Sequence, residues 1–484
     1  MLGITAFGAY VPRLRLSRQA VVEANAWFNP AIRKLASGER AICNWDEDSL
    51  TMAVEAARDC LGGFSRDDLK AVYLASTTLP FADRQNAGVL STALNLGENL
   101  MTMDVAASQR AGTSGLITAL NAGVAGDASA LYVASDKRRT KAASAQELLF
   151  GDGAAAFRLG TDGVVAEFVG AYQIAVDFVD HYRGRDEKFD YAWEDRWIRD
   201  EGYFKIVPRA LEGLFASIEA GPADIDHFVM PSVMARVPRR IAGEAGIRES
   251  AVRDTLHDRM GESGAAHALV MLVDALQDAE PGQNILVIGW GQGCDALLFR
   301  TTGALAGLPP RLGVKGSLAR GRTETNYNRY LAFNGLLTQE KGIRAEGDRQ
   351  TALTTLYRKR DMILGFVGGK CRICGTVQFP RTKACVSPNC GAFGSQDPHP
   401  FADIPAKIQS WTADSLTYSP DPPAHFGMVV FEEGGRLMAD LTDVDVGGVE
   451  VGMPMRMVFR IKQFDEQRGF ARYFWKAAPD SNRV

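Results

Sequence analysis

Four cysteines fall within one short stretch as two knuckles, Cys371-x2-Cys374 and Cys385-x4-Cys390, with ten residues between them. Four thiolates at this spacing suit a tetrahedral Zn²⁺ ion. Four sulfur ligands leave no open position for water, so the zinc is read as structural. The second knuckle is wider than the usual two-residue gap, and Pro388 inside it shapes a longer turn. The alternative is that some of the four are unligated. Cys43, Cys60 and Cys294 are scattered, which fits a reducing cytoplasm better than a disulfide framework.

A zinc knuckle needs a small β scaffold to hold it, and the flanking sequence supplies one. Short alternating runs follow the cysteines at 406–411, 427–432, 436–441 and 455–460, separated by turns rich in Gly, Pro and Asp. Four or five such strands predict a small barrel. Ahead of the cysteines, residues 1–300 alternate β-rich apolar runs with amphipathic helical runs. Strands are predicted at 71–76, 130–135, 228–230 and 284–289, and helices at 91–96, 116–125 and 265–276. This is βαβ patterning around a buried sheet, an α/β class. Residues 301–364 carry more Arg, Lys and Gln, with helical spacing at 328–337 and 350–356, and read as a helical connector.

At 484 residues the chain predicts two or three domains. A formal net charge of −4 argues against a general nucleic-acid binder or a polybasic membrane binder. No apolar run approaches the 18 or more residues of a spanning helix. The first ten residues read as a strand rather than a secretory signal, so a cytoplasmic location is expected.

The run Asp104-Val-Ala-Ala-Ser-Gln-Arg-Ala-Gly-Thr-Ser-Gly-Leu116 resembles the loop that carries the nucleophilic cysteine in thiolase-superfamily enzymes. The resemblance is to the microbial form of 3-hydroxy-3-methylglutaryl-CoA synthase. Residues 44–57 resemble that family's first long helix. Gly151-Asp-Gly-Ala-Ala-Ala-Phe157 resembles its buried turn and strand, and Gly289-Trp-Gly-Gln-Gly-Cys-Asp-Ala296 its C-terminal glycine-rich turn. The resemblance implies a five-layer thiolase fold over 1–300 and a homodimer. The cysteine segment resembles the rubredoxin-like zinc ribbon, over 365–395, and OB-fold β-barrel, over 396–480, of an acyl-CoA-associated family. The two parts are read as fused here.

The same resemblance implies that the family's chemistry has been altered. Gln109 stands at the cysteine position, Thr77 at the glutamate position and Val229 at the histidine position. An amide cannot form an acyl-enzyme as a thiolate does. In Gly261-Glu-Ser-Gly-Ala-Ala-His267, Glu262 occupies a position where related condensing enzymes carry an asparagine. A carboxylate in a partly desolvated pocket is a candidate general base. His267, at the start of the following helix, is its candidate partner. The bland alternatives are a helix-start acid and a structural histidine. Thr77, Ser108, Gln109, Tyr182, Arg183, Gln292 and Gly293 are expected to contact substrate. A polar lining role suits Ser108 and Gln109 better than a serine nucleophile, because no histidine neighbours Ser108 in sequence. Tyr182 and Arg183 sit in a segment that reads equally well as a solvated loop.

The leading expectation is an acyl-CoA carbon–carbon lyase. It would cleave a 3-hydroxyacyl-CoA by a retro-aldol reaction without an acyl-enzyme, with CoA entering as part of the substrate. The alternatives are an acyltransferase or condensing enzyme of the synthase type, and a noncatalytic acyl-CoA-binding scaffold subunit.

Overall fold

A computed structural model describes residues 1–124, 129–346, 350 and 352–480. They form two compact units. The first comprises 1–44, 48–88 and 97–337; the second comprises 45–47, 89–96 and 338–484.

The first unit is built on a nine-stranded mixed sheet. Its N-terminal half runs Gly3–Tyr10, Asp152–Gly160, Ser129–Lys137, Leu69–Ala75, Met101–Val105. Its C-terminal half runs Ala166–Ala175, Gly293–Thr301, Asn284–Trp290, His227–Val229. The halves meet through the pairs Gly3↔Glu167 and Ile4↔Ala166. Helix Ser49–Leu61 packs on the N-terminal half, and helix Phe204–Ser217 on the C-terminal half. Helices Ala111–Val124 and His267–Leu276 touch strands of both halves. The result is the expected helix–sheet–helix–sheet–helix stack.

Local sequence explains these elements. His267–Leu276 is apolar nearly all round and all ten of its residues are buried, as a central layer requires. Ser49–Leu61 starts at a capping box: Thr51 N donates to Asp48 Oδ1 at 2.8 Å, and Asp48 N to Thr51 Oγ1 at 2.9 Å. The helix expected over 91–96 forms earlier, at Asn86–Ala93, because Asp104 accepts from the N–H groups of Asn86 and Ala87 and fixes the start. The helix expected over 116–125 begins at Ala111; its last expected residue, Ala125, lies outside the described residues.

The reading of 301–364 as one helical connector needs correction. Residues up to 337 belong to the first unit. Strand Arg322–Glu324 pairs in parallel with Leu14–Ser17, and Asp59 accepts from the N–H groups of Leu312 and Gly313. Charged residues here disguised a segment that is pinned by polar bonds. Within 328–337 a helix forms at Tyr327–Phe333. The second expected helix forms at Leu353–Arg358, and Thr351 lies outside the described residues.

In the second unit, a three-stranded sheet of Val367–Cys371, Val377–Gln378 and Gln396–Pro400 carries the knuckles. Five further strands, Ala406–Asp414, Ala424–Phe431, Arg436–Asp440, Pro454–Asp465 and Phe470–Pro479, make an antiparallel sheet. The bridge Leu441↔Ala477 and the bond from Thr442 N to Ala477 O at 2.9 Å close it into a barrel. Phe366, Phe379, Phe401, Phe431, Phe474 and Trp475 form one aromatic cluster between ribbon and barrel. Residues 45–47 complete this unit. Asp46 accepts from Lys476 Nζ at 2.8 Å and from Thr442 Oγ1 at 3.0 Å, and Glu47 pairs with Arg460 at 3.0 Å.

Candidate functional site

The ribbon geometry answers the doubt raised by the wide second knuckle. All four Sγ atoms lie within 4.8 Å of one another. Cys371 and Cys390 are 3.9 Å apart, and Cys374 and Cys385 are 3.6 Å apart. A tetrahedron of roughly 2.3 Å Zn–S bonds puts its sulfurs about 3.8 Å apart. In the wide knuckle, Ser387 O accepts from the N–H groups of Cys390 and Gly391, so the extra residues form an ordered turn. Ser395 Oγ lies 3.1 Å from Cys371 Sγ and pulls that thiol down to about 6. Thr376 Oγ1 stands 3.1 Å from Cys374 Sγ. The donor set fits a structural zinc ion held by Cys371, Cys374, Cys385 and Cys390.

In the first unit, the site is assembled at the start of helix Ala111–Val124. Strand Met101–Val105 leads into a tight loop in which Ala107 has φ +79°, a region side chains disfavour. Ser108 then acts as a brace. Its Oγ accepts from Arg110 N at 3.2 Å and donates toward Gly291 O at 3.3 Å and Gln292 Oε1 at 3.1 Å. Gln292 itself has φ +46°. Gly112 is required because a Cβ there would lie 2.0 Å from Ala265 O, so only glycine lets the helix start meet the 261–267 turn.

Gln109 is the side chain this loop presents. Oriented so that its amide oxygen meets donors, it accepts from Arg138 Nη1 at 2.9 Å, from Arg138 Nη2 at 3.0 Å and from His181 Nε2 at 3.1 Å. Arg138 follows strand Ser129–Lys137, its N–H held by Asp152 Oδ1 at 2.8 Å. Asp152 belongs to the Gly-Asp-Gly turn, so that motif fixes where the guanidinium begins. The guanidinium lies 3.7 Å over the Phe150 ring, pairs with Asp190 at 2.9 Å and donates to Glu262. Burial alone would lower the Arg138 pKa, but Glu262, Asp190 and Asp136 outweigh it and keep the group charged.

His181 comes from a hairpin outside the main sheet, in which it pairs with Ala192 and Tyr182 pairs with Tyr191. Its Nδ1 lies 2.9 Å from Asp180 Oδ1. Asp180 is buried, and Trp290 Nε1 donates to its Oδ2 at 2.8 Å. Burial pushes the Asp180 carboxyl up, yet hydrogen bonds and charge from His181, with the Trp290 bond, hold it below the ordinary value.

The expected site residues therefore fall into distinct groups. Glu262, Gln109, Thr77 and Arg183 join one network. Arg183 bonds Asp190 at 2.8 Å and donates to Thr77 O, while Thr77 Oγ1 donates to Asp136 Oδ2 at 2.9 Å. Glu262 has both oxygens engaged, one by Arg138 and one by Gly264 N at 2.7 Å. His267 has 0 % exposure and lies behind that turn, with Nε2 on Thr255 O at 2.9 Å and Nδ1 3.2 Å from Ser263 N. Burial lowers its pKa, so the ring is held neutral. Ser108, Gln292 and Gly293 form the neighbouring wall, Gly293 pairing with Ala175. Tyr182 is 56 % exposed and faces away from Gln109, on the opposite face of the hairpin from His181. Val229 is fully buried in the central core. Sequence reasoning missed Arg138, Asp180, His181 and Asp190. The available signal was Lys137-Arg138-Arg139 directly after a buried strand.

Comparison with known proteins bears on both units. Residues 215–300 match the model for the 3-oxoacyl-[acyl-carrier-protein] synthase III C terminus. Residues 365–395 match the ChsH2 rubredoxin-like zinc ribbon and 401–460 the ChsH2 C-terminal OB-fold domain. The hydroxymethylglutaryl-CoA synthase of Caldivirga maquilingensis is 29% identical over 350 residues, 70% of this chain and 99% of that protein. That of Methanopyrus kandleri is 28% identical over 339 residues, 68% of this chain and 96% of its own. Among solved structures, MvaS in complex with 3-hydroxy-3-methylglutaryl coenzyme A superposes with a TM-score of 0.59 at 20% identity, covering 69% of this chain and 91% of MvaS. The chain is thus similar to hydroxymethylglutaryl-CoA synthases over 70% of its length, and ChsH2-type zinc-ribbon and OB-fold segments follow in the same chain. No helix among the described residues is long and apolar enough to cross a membrane.

Proposed function

We propose that this protein cleaves a carbon–carbon bond in a 3-hydroxyacyl-CoA by a retro-aldol route that forms no acyl-enzyme. The observation that carries this reading is the carboxamide of Gln109 at the helix start, held by Arg138 and His181. No thiol in the first unit offers a substitute nucleophile. Cys43, Cys60 and Cys294 are all buried. Burial pushes the Cys60 thiol up to about 12 and Cys294 higher still, so neither supplies a thiolate. Ser108 is engaged as a brace and has no histidine partner in the network.

In this reading the β-hydroxyl gives up its proton as the Cα–Cβ bond breaks. The oxygen becomes the carbonyl of an aldehyde or ketone, and the bond pair becomes an acyl-CoA enolate. Backbone N–H groups of the 289–293 turn, with Gln292 and Gly293, stabilise the enolate oxygen. Thr77, Gln109 and Arg183 line the reacting end, and Tyr182 lies farther out toward the acyl tail. Glu262 holds Arg138 in place and His267 supports the Glu262 turn. A cytoplasmic homodimer is part of the proposal.

The relatives' names favour a second reading: a condensing enzyme running carbon–carbon bond formation at the same site. The test is to incubate the protein with 3-hydroxyacyl-CoAs of varied tail and follow aldehyde or ketone release, with intact-mass analysis alongside. Release without a protein adduct supports the lyase. A covalent acyl adduct supports the condensing enzyme, and neither outcome leaves both readings without support.

A further inference from the structure

We infer that His181, with Asp180 behind it, is the group that moves the proton in this site. The inference rests on the acyl-CoA lyase reading and names the acid and base that the reading needs. The geometry is that of an oriented acid–base pair. Asp180 Oδ1 fixes Nδ1 at 2.9 Å, and Trp290 anchors the other carboxylate oxygen at 2.8 Å. Nε2 is thereby aimed at Gln109, at the helix start.

The alternatives within the network are already committed. Glu262 has both oxygens engaged, and His267 has no exposed surface. His181 is only half-buried, its side chain 20 % exposed, so an incoming hydroxyl can reach its ring. The charged groups around it are Asp180, Arg183 and Asp190 on its own segment, Arg138 across Gln109, and Glu262 beyond Arg138.

Both ring nitrogens face acceptors, a carboxylate on one side and an amide oxygen on the other. A substrate β-hydroxyl takes the place of the Gln109 oxygen. In cleavage, Nε2 in its unprotonated form accepts the hydroxyl proton while the Cα–Cβ pair moves onto the enolate, and the imidazolium then returns that proton to Cα. In the addition direction, unprotonated Nε2 first takes the proton from Cα of the acyl-CoA, and the imidazolium so formed gives it to the carbonyl oxygen as the enolate attacks. No further reactant is needed in either direction. Because the proton that Nε2 takes is returned in the same turnover, both directions start from the unprotonated ring, and cleavage and addition depend on His181 equally.

The test compares full-length wild type, His181→Gln and Asp180→Asn. A series of 3-hydroxyacyl-CoAs with aliphatic and aromatic tails is screened for cleavage, and the products of any that is cleaved are run backward. Acyl-CoA binding and thermal unfolding are measured on each variant. We expect His181→Gln to lose about 10²–10⁴-fold in cleavage with binding and unfolding unchanged. We expect Asp180→Asn to lose less, and cleavage and addition to fall by the same factor in His181→Gln. Cleavage by His181→Gln within threefold of wild type overturns the assignment while leaving the lyase reading intact. A rate loss that tracks lost binding or unfolding also overturns it. No cleavage of any substrate by wild type overturns the lyase reading and this assignment together.

Discussion

Trp290 Nε1 donates to Asp180 Oδ2 at 2.8 Å, and the other oxygen of the same carboxylate meets His181 Nδ1 at 2.9 Å. A main-sheet strand thus fixes the orientation of a hairpin imidazole. Trp290→Phe keeps an aromatic ring against Tyr203, 4.5 Å away, and deletes only the donor. The buried carboxylate then loses a partner, which costs about 1–3 kcal/mol. Thermal unfolding should report that loss, and turnover should fall while acyl-CoA binding holds.

Glu262→Gln separates two roles by the measurement that moves. As the anchor of Arg138, Glu262 belongs to a buried ion pair, and removing its charge is expected to destabilise by roughly 3 kcal/mol, the lower end for broken buried pairs. Turnover should change less than about tenfold. A fall of about 10²–10⁴-fold at unchanged stability would instead make Glu262 the base.

Gln109→Cys puts a thiol at a helix start beside the Arg138 guanidinium, a setting that favours thiolate. Incubation with acetyl-CoA should add one acetyl group per chain by intact mass, where wild type adds none. Absence of the adduct would show that the loop no longer presents residue 109 to a thioester.

The zinc site concerns folding. Cys371→Ser or Cys385→Ser should lose one zinc per chain by metal analysis and destabilise the second unit, because structural zinc binding supplies folding free energy. Zinc-free wild type would refute the assignment.

Burial lowers the pKa of His257 and His267, whose rings lie 5.0 Å apart. In the unfolded chain both protonate as pH falls through about 6.5. The unfolded state then binds more protons than the folded one, so stability is full above that pH and declines below it. Melting temperature measured from pH 7.5 to 5 should fall, and His267→Asn should flatten the slope.

The βαβ alternation of 1–300 and the cysteine spacing were legible because each is local: periodicity and ligand gaps need only neighbouring residues. Glu262 was legible for the same reason, inside one glycine turn. The network around it was not. Gln109, Arg138, His181 and Glu262 come from a loop, a strand end, a hairpin and a turn, and only the sheet order brings them together. The His181 segment has no strand or helix periodicity, so it reads as solvated loop. The 301–337 stretch misled in the opposite sense, because its basic surface hides partners such as Asp59 and Arg15 far back in the chain.

Residues 45–47 give the fusion a direction of dependence. Lys476, 2 % exposed, has Asp46 as its carboxylate partner and Trp45 beneath its ammonium at 4.0 Å. A C-terminal fragment starting at residue 338 would carry that lysine without either. The ribbon and barrel of this protein are thus not an excisable cassette. Their last strand waits on a tripeptide synthesised more than four hundred residues earlier, so on the ribosome residues 45–47 must stay available until that strand emerges.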